Sequence, residues 1–306
     1  MNLSKYIELI KAGEVVAFPT ETVYGLGADA WNPSAIQKIF KVKGRPSDNP
    51  LIVHISDLQQ IENFALDIPE STQKLMDAFW PGPLSLILKK KPEVLDAVTA
   101  GLDTVAIRMP SHPLALEFIF KTGPLVAPSA NTSGKPSPTK AEHVKQDFGE
   151  YFPVIDGEAT KIGLESTVID LSQVIPSILR PGSISRKQIE EVLGTFVEES
   201  FFHHTEKPRS PGQKYSHYKP NADVRWLKED EQPNDPFCLY LLISNSEQAS
   251  NIINYNGDLN RLAAELYDRF RQADVEGFGS VVIEIFDDLN SHIAPVLLNR
   301  IQKALH

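Results

Sequence analysis

Apolar residues recur along this chain in two rhythms. Over residues 3–12 they fall on one helical face, with Leu3, Tyr6, Ile7 and Ile10 three or four positions apart, and Gly13 ends the run. VVAF at 15–18 is a short continuous apolar run, as a buried strand shows. The spacing then predicts a helix over 33–43, opened by Pro33 and Ser34 and lined by Ile36, Ile39 and Phe40. It predicts a strand over 51–55, a helix over 70–79 ended by PGP at 81–83, and a strand over 84–90. Beyond these come a strand over 104–110, a helix over 113–121 and strands over 124–130, 152–155, 166–171 and 177–180. A helix over 185–193 follows, with Ser185 as its N-cap. Strands and helices alternating in this way imply an α/β fold with a mixed sheet.

Near residue 200 the rhythm stops. HHTEKPRSPGQKYSHYKPNADV at 203–224 is rich in Pro, Gly, His and Lys and has no apolar period, which marks a linker. Past it, strands are expected over 237–243 and 279–285 and helices over 258–272 and 291–304, with an acidic surface stretch, KEDEQPND, at 228–235. The expected organisation is a first domain over 1–202, a linker over 203–222 and a smaller α/β domain over 223–306.

Composition narrows the class. At 42% hydrophobic over 306 residues the chain can bury a sizeable core. No run reaches the roughly 18 apolar residues of a membrane span, and the amphipathic N-terminus has no signal-like apolar core, so a cytoplasmic protein away from membranes is expected. The single cysteine, Cys238, cannot form an internal disulfide and reads as a buried small hydrophobe within FCLYLLI. A net charge of −10 argues against a general polyanion binder. It leaves room for a local basic pocket, and Lys38, Lys41, Lys43 and Arg45 stand close together.

Six segments carry chemistry. PTETVYGLG (19–27) follows a strand and offers hydroxyls, a carboxylate and a phenol, with Gly25 and Gly27 allowing close backbone approach to a ligand. No GK[ST] follows, so it is not a Walker-type phosphate loop. KVKGRPSDNPLIVH (41–54) sets Lys43 and Arg45 around a glycine, a pairing suited to a triphosphate, with Asn49 and His54 nearby. A lone histidine on a strand is more often structural. TVAIRMP (104–110) ends in Arg108, whose burial needs either a ligand carboxylate or an internal one. APSANTSGKPSPT (127–139) can form an anion-binding nest or an ordinary loop, and GLESTVID (163–170) and ILRPGSIS (178–185) add polar groups at strand ends.

In this order the segments PTETVYGLG, KxKGRPxxNPL followed by His, AIRMP, PSANxSG, and ESTV followed by RPG closely resemble the threonylcarbamoyl-AMP synthase family with its YrdC-like domain. The match runs over about residues 5–198, and SPGQKYSHYKP (210–220) resembles the linker of the family's longer members. The C-terminal part matches mainly by position and size. The resemblance implies a twisted open mixed-sheet YrdC-like domain with a concave basic cavity, plus a small Rossmann-like C-terminal domain. It implies that Thr22, His54, Arg108, Ser129 and Ser166 hold L-threonine. Lys43, Arg45, Asn49, Thr104, Asn131, Thr139 and Arg180 would surround ATP, and Tyr218, with Tyr215 and His217 nearby, would close the cavity as a lid. Lys43 and Arg45 would act on the triphosphate during catalysis, with Mg²⁺ arriving on the nucleotide. Bicarbonate completes the substrates, and tRNA with a tRNA threonylcarbamoyl-transferase complex stands downstream. Two rivals remain: an RNA-binding module of the same fold, and the carbamoyl-adenylate enzymes of hydrogenase maturation, whose zinc modules a chain with one cysteine lacks.

Overall fold

Asn32 starts the first long helix: its Oδ1 accepts from the Ser34 and Ala35 amides, both at 3.1 Å, and Pro33 takes the first turn, where an amide would have no partner. Gly44 ends it at φ 59°, a left-handed cap that costs glycine little. The helix therefore spans Pro33–Lys43 and delivers Lys43 at its last position.

A computed structural model describes residues 2–200, 218–244, 249–286 and 291–305. Most of the expected linker, including Tyr215 and His217, lies outside the described residues. In chain order the elements are α1 (Ser4–Lys11), β1 (Val16–Phe18), β2 (Gly25–Asp29), α2 (Pro33–Lys43), β3 (Ile52–His54), α3 (Glu70–Phe79), β4 (Leu84–Lys89), α4 (Asp96–Thr99), β5 (Thr104–Arg108), α5 (Pro113–Thr122) and β6 (Leu125–Val126). They continue with α6 (Ala141–Phe148), β7 (Thr167–Asp170), β8 (Ser177–Arg180), α7 (Arg186–Leu193) and β9 (Glu198–Glu199). These nine strands make one mixed sheet in the order β1-β2-β6-β3-β5-β4-β7-β8-β9. Parallel β3–β5 pairing brings His54 opposite Arg108 at the strand ends.

A second sheet follows, built from β10 (Asp223–Trp226), β11 (Cys238–Leu242) and β12 (Ile252–Asn254), then, after α8 (Leu259–Glu276), β13 (Ser280–Ile283), with α9 (Ala294–Leu305) last. Its order is β10-β13-β11-β12 and every pairing is parallel. Cys238 is buried in it. The apolar core around α8 and α9 also takes in Val23, Leu164 and Tyr218, so it packs directly on the polar loops of the first sheet. Among the described residues no helix is long and apolar enough to cross a membrane.

The mixed α/β architecture agrees with the pattern of the chain, with local corrections. Residues 152–155 form a single bridge, Ala17 to Val154, rather than a strand, and the strand expected over 124–130 shortens to Leu125–Val126. The PTETVYGLG segment carries β2, an antiparallel partner of β1, rather than only a loop. Its glycines serve packing: a Cβ at Gly27 would stand 2.9 Å from the Phe18 ring, and one at Gly25 3.2 Å from the Ala127 Cβ.

Candidate functional site

The strand ends and loops of the first sheet enclose one polar cavity, and its walls are built from four local arrangements.

The first is the β3–β5 pair. His54 is buried, with Nδ1 3.1 Å from the Ile52 carbonyl and its ring edge-on to Phe18. A carbonyl can only accept, so Nδ1 carries the proton and Nε2 is left as the acceptor. Burial, reinforced by Arg108, lowers the imidazole from 6.5 to about 3, so it is neutral near pH 7. Arg108 donates from Nη2 to Glu21 Oε1 at 2.7 Å and from Nε to the Gly82 carbonyl at 3.3 Å. The other Glu21 oxygen accepts from the Ser111 amide at 3.1 Å. Of the two partners left open for Arg108, the internal carboxylate is therefore present. The arginine still borders the cavity, so a ligand carboxylate would share the guanidinium with Glu21.

The second is Lys43. Its ammonium reaches through the wall to donate to the Ser129 and Asn131 carbonyls, each at 2.5 Å. Burial, then the adjacent Arg45, push it well below the usual lysine range. Arg45 donates to the Pro50 carbonyl at 3.0 Å. Asn131 uses its amide hydrogens on the Thr132 and Lys135 carbonyls, both at 2.9 Å, while its Oδ1 is buried with no partner among the described residues.

The third is a hydroxyl pair, Thr20 and Thr22, 2.8 Å apart. The fourth joins ESTV to RPG. Arg180 donates to the Ser166 carbonyl at 3.0 Å and hydroxyl at 2.9 Å, and Ser85 lies 2.8 Å from the same hydroxyl. Glu165 beside it accepts from the Ser137 hydroxyl at 2.6 Å. Burial alone would raise this carboxyl, but Arg300, Arg180 and Ser137 override it and hold it at about 2. Tyr218 borders the cavity at φ 74° and stacks on Tyr267, ring centres 5.1 Å apart.

Of the residues singled out from sequence, Thr22, Lys43, Arg45, His54, Arg108, Ser129, Asn131, Ser166, Arg180 and Tyr218 meet at this cavity. Three do not line it. Thr104 starts β5, paired with Lys89, at the opposite end of the strand from Arg108. Thr139 is buried against His143, 3.4 Å from its Nδ1. Asn49 is buried behind Arg45, whose Nη2 lies 3.4 Å from its carbonyl. Lys38 points elsewhere, to Glu14 at 2.7 Å. Glu21, Ser85, Ser137 and Glu165 were not anticipated as site residues. A signal was available for Glu165, which sits in the ESTV segment followed by RPG, whose Arg180 is buried; Glu21 shares no motif with Arg108.

Two family models match the chain. One described as "Telomere recombination" covers residues 8–182, and one described as "Threonylcarbamoyl-AMP synthase, C-terminal domain" covers residues 184–305. The chain is 46% identical to the threonylcarbamoyl-AMP synthase of Bacillus subtilis (strain 168), over 99% of this chain and 92% of the relative. It is 41% identical to that of Pyrococcus abyssi, over 96% and 91%. In three dimensions it is similar to P. abyssi Sua5 crystallised with L-threonine, with a TM-score of 0.90, 39% identity and coverage of 99% and 94%.

Proposed function

The chain belongs to the threonylcarbamoyl-AMP synthase family, and from that premise we propose that its cavity joins L-threonine, bicarbonate and ATP into threonylcarbamoyl-AMP, with release of pyrophosphate. The observation that supports this most is that a neutral His54 paired with Arg108 shares one cavity with Lys43, Arg45 and Arg180. The His54–Arg108 pair suits a zwitterionic amino acid, and the further cations suit a polyphosphate.

On this reading Arg108 takes the threonine carboxylate, and His54 Nε2 accepts a hydrogen bond from the ammonium or hydroxyl. Thr22, Ser129 and Ser166 supply further hydrogen bonds. The deprotonated threonine nitrogen attacks CO2, one C=O π pair moving onto oxygen and a proton leaving to solvent, or attacks bicarbonate with loss of water; either gives an N-carboxylate. That carboxylate attacks the α-phosphorus of ATP, a P–O bond forms, and the bond to the β-phosphate oxygen breaks as pyrophosphate leaves. No protein nucleophile is needed, so catalysis rests on positioning and charge neutralisation. Lys43 and Arg45 neutralise the triphosphate, Arg180 and Asn131 hold the nucleotide, and Tyr218 excludes water. Asn49 supports Arg45 from behind the wall, whereas Thr104 and Thr139 do not line the cavity and take no part in this reading.

Magnesium belongs to this reading as part of the nucleotide substrate. It prefers oxygen donors, and Asn131 Oδ1, buried and unpartnered among the described residues, is an oxygen of the right kind at the cavity. We take residues 1–202 as the catalytic unit, 203–222 as the linker and lid, and 223–306 as the small α/β unit, in a cytoplasmic protein. The product is a mixed carbamic–phosphoric anhydride and needs an acyl-transfer step to consume it. A tRNA and its threonylcarbamoyl-transferase complex are the corresponding partners.

The test is pyrophosphate release from MgATP and bicarbonate by purified protein, with and without L-threonine. Release that depends on threonine and is lost in Arg108→Ala is expected. No threonine dependence in folded, ATP-binding protein would overturn the reading and favour an RNA-binding module.

A further inference from the structure

The second sheet's helices reach the cavity wall at one carboxylate. Arg300, fully buried on α9, donates from Nε to Glu165 Oε2 and from Nη2 to the Pro181 carbonyl, both at 2.9 Å. Tyr267 on α8 donates to the same Glu165 oxygen at 3.1 Å. Glu165 precedes Ser166 and Pro181 follows Arg180, so this guanidinium ties together the two loops that Arg180 itself bridges through Ser166.

The backbone closes around the same point. A Cβ at Gly163 would lie 2.5 Å from the Ala264 Cα, so α8 rests directly on the loop that carries Glu165. A Cβ at Gly182 would lie 2.3 Å from the Thr167 amide nitrogen, so the two loops touch backbone to backbone. Thr167 completes the seam by donating from Oγ1 to the Ile184 carbonyl at 2.8 Å.

We propose that Arg300 is a positioning residue for the nucleotide: by occupying Glu165 and anchoring Pro181 it keeps the Arg180 guanidinium turned to the cavity instead of paired with Glu165. The proposal rests on the reading of Arg180 as a nucleotide contact and deepens it. Glu165 is buried and borders the cavity, so it must have a cation. With Arg300 present that need is met from outside the cavity. Without it the cations left around Glu165 include Lys303 and Arg180; Arg180 is the one on the cavity, and an arginine captured by a carboxylate no longer meets phosphate. A contact that merely glued the two sheets together would have no such effect on ATP.

The test uses pyrophosphate-release kinetics and thermal melting of the full chain. Arg300→Gln is expected to raise the KM for ATP about tenfold or more, with the KM for L-threonine changing much less. Arg300→Lys keeps the charge but loses the second arm, and is expected to fall between. Adding Glu165→Gln to Arg300→Gln removes the competing carboxylate, and is expected to recover most of the ATP KM. A lower Tm with unchanged ATP KM in Arg300→Gln overturns the proposal, as does a double variant worse than either single one. Should Arg300→Gln fail to fold, Arg300→Lys and Tyr267→Phe carry the test, and an unchanged ATP KM in both overturns it. Arg180→Ala separates the two layers. If it leaves the ATP KM unchanged, the reading of Arg180 falls and the proposal with it. If it raises the KM while Arg300→Gln does not, only the role of Arg300 falls.

Discussion

Arg271 and Asp147 meet in a two-armed ion pair across the junction of the two sheets, Nη1 to Oδ1 and Nη2 to Oδ2, each at 3.0 Å. Both side chains are buried. The same arginine donates to the Pro136 carbonyl at 2.6 Å, and Asp147 accepts from the Thr132 amide at 2.9 Å, so the pair pins both ends of the cavity loop at 132–136. Removing one partner of such a pair strands a buried charge. Arg271→Ala is expected to lower unfolding free energy by about 3–5 kcal/mol, read by urea denaturation. Pairing Arg271→Met with Asp147→Leu should restore much of it.

Lys43 tests chemistry apart from folding. Its charge already sits far from water, so Lys43→Met sheds a desolvated ammonium and leaves the Ser129 and Asn131 carbonyls one donor short. These effects oppose each other, and stability is expected to change by less than about 2 kcal/mol. Turnover, measured as threonine-dependent pyrophosphate release, should fall about a hundredfold or more.

Acid should destabilise the protein in two windows. His54 is held near 3 against 6.5 for an ordinary histidine, so the unfolded chain binds its proton first. A group depressed on folding contributes fully above its unfolded value, and here that contribution is lost as pH falls from 6.5 toward 3, at up to about 1.4 kcal/mol per pH unit. Glu165, held near 2 against 4.5, adds the same sign of loss below pH 4.5. Urea unfolding of His54→Asn is expected to show a flatter slope from pH 6 down to about 3, leaving the Glu165 contribution below pH 4.5 in place.

Gly163 carries two demands at once, a φ of 77° and the absence of a side chain against α8. Gly163→Ala should destabilise by about 2–3 kcal/mol and loosen α8 from the first sheet. Hydrogen exchange would report this as faster amide exchange along Leu259–Glu276.

Local signals were legible in the sequence; pairings between distant positions were not. Pro33 and Gly44 bound α2, and Ser185 with Gln188 forms a reciprocal cap on α7, because such chemistry acts within a few residues. β2 was hidden because its five residues include two glycines, whose purpose is room for the Phe18 ring. α6 was hidden because few of its positions are apolar. The Arg108–Glu21 pair spans 87 positions and the Arg300–Glu165 pair 135, separations that no period or motif reports. Local spacing alone points to Thr104 and Thr139, and neither lines the cavity.

The 135 positions between Glu165 and Arg300 also measure time. A ribosome adding about 5–20 residues per second needs roughly ten seconds to travel from one to the other. During that interval Glu165 has been made and its partner on α9 has not, so this contact forms only after the rest of the first sheet and the whole second sheet have been synthesised.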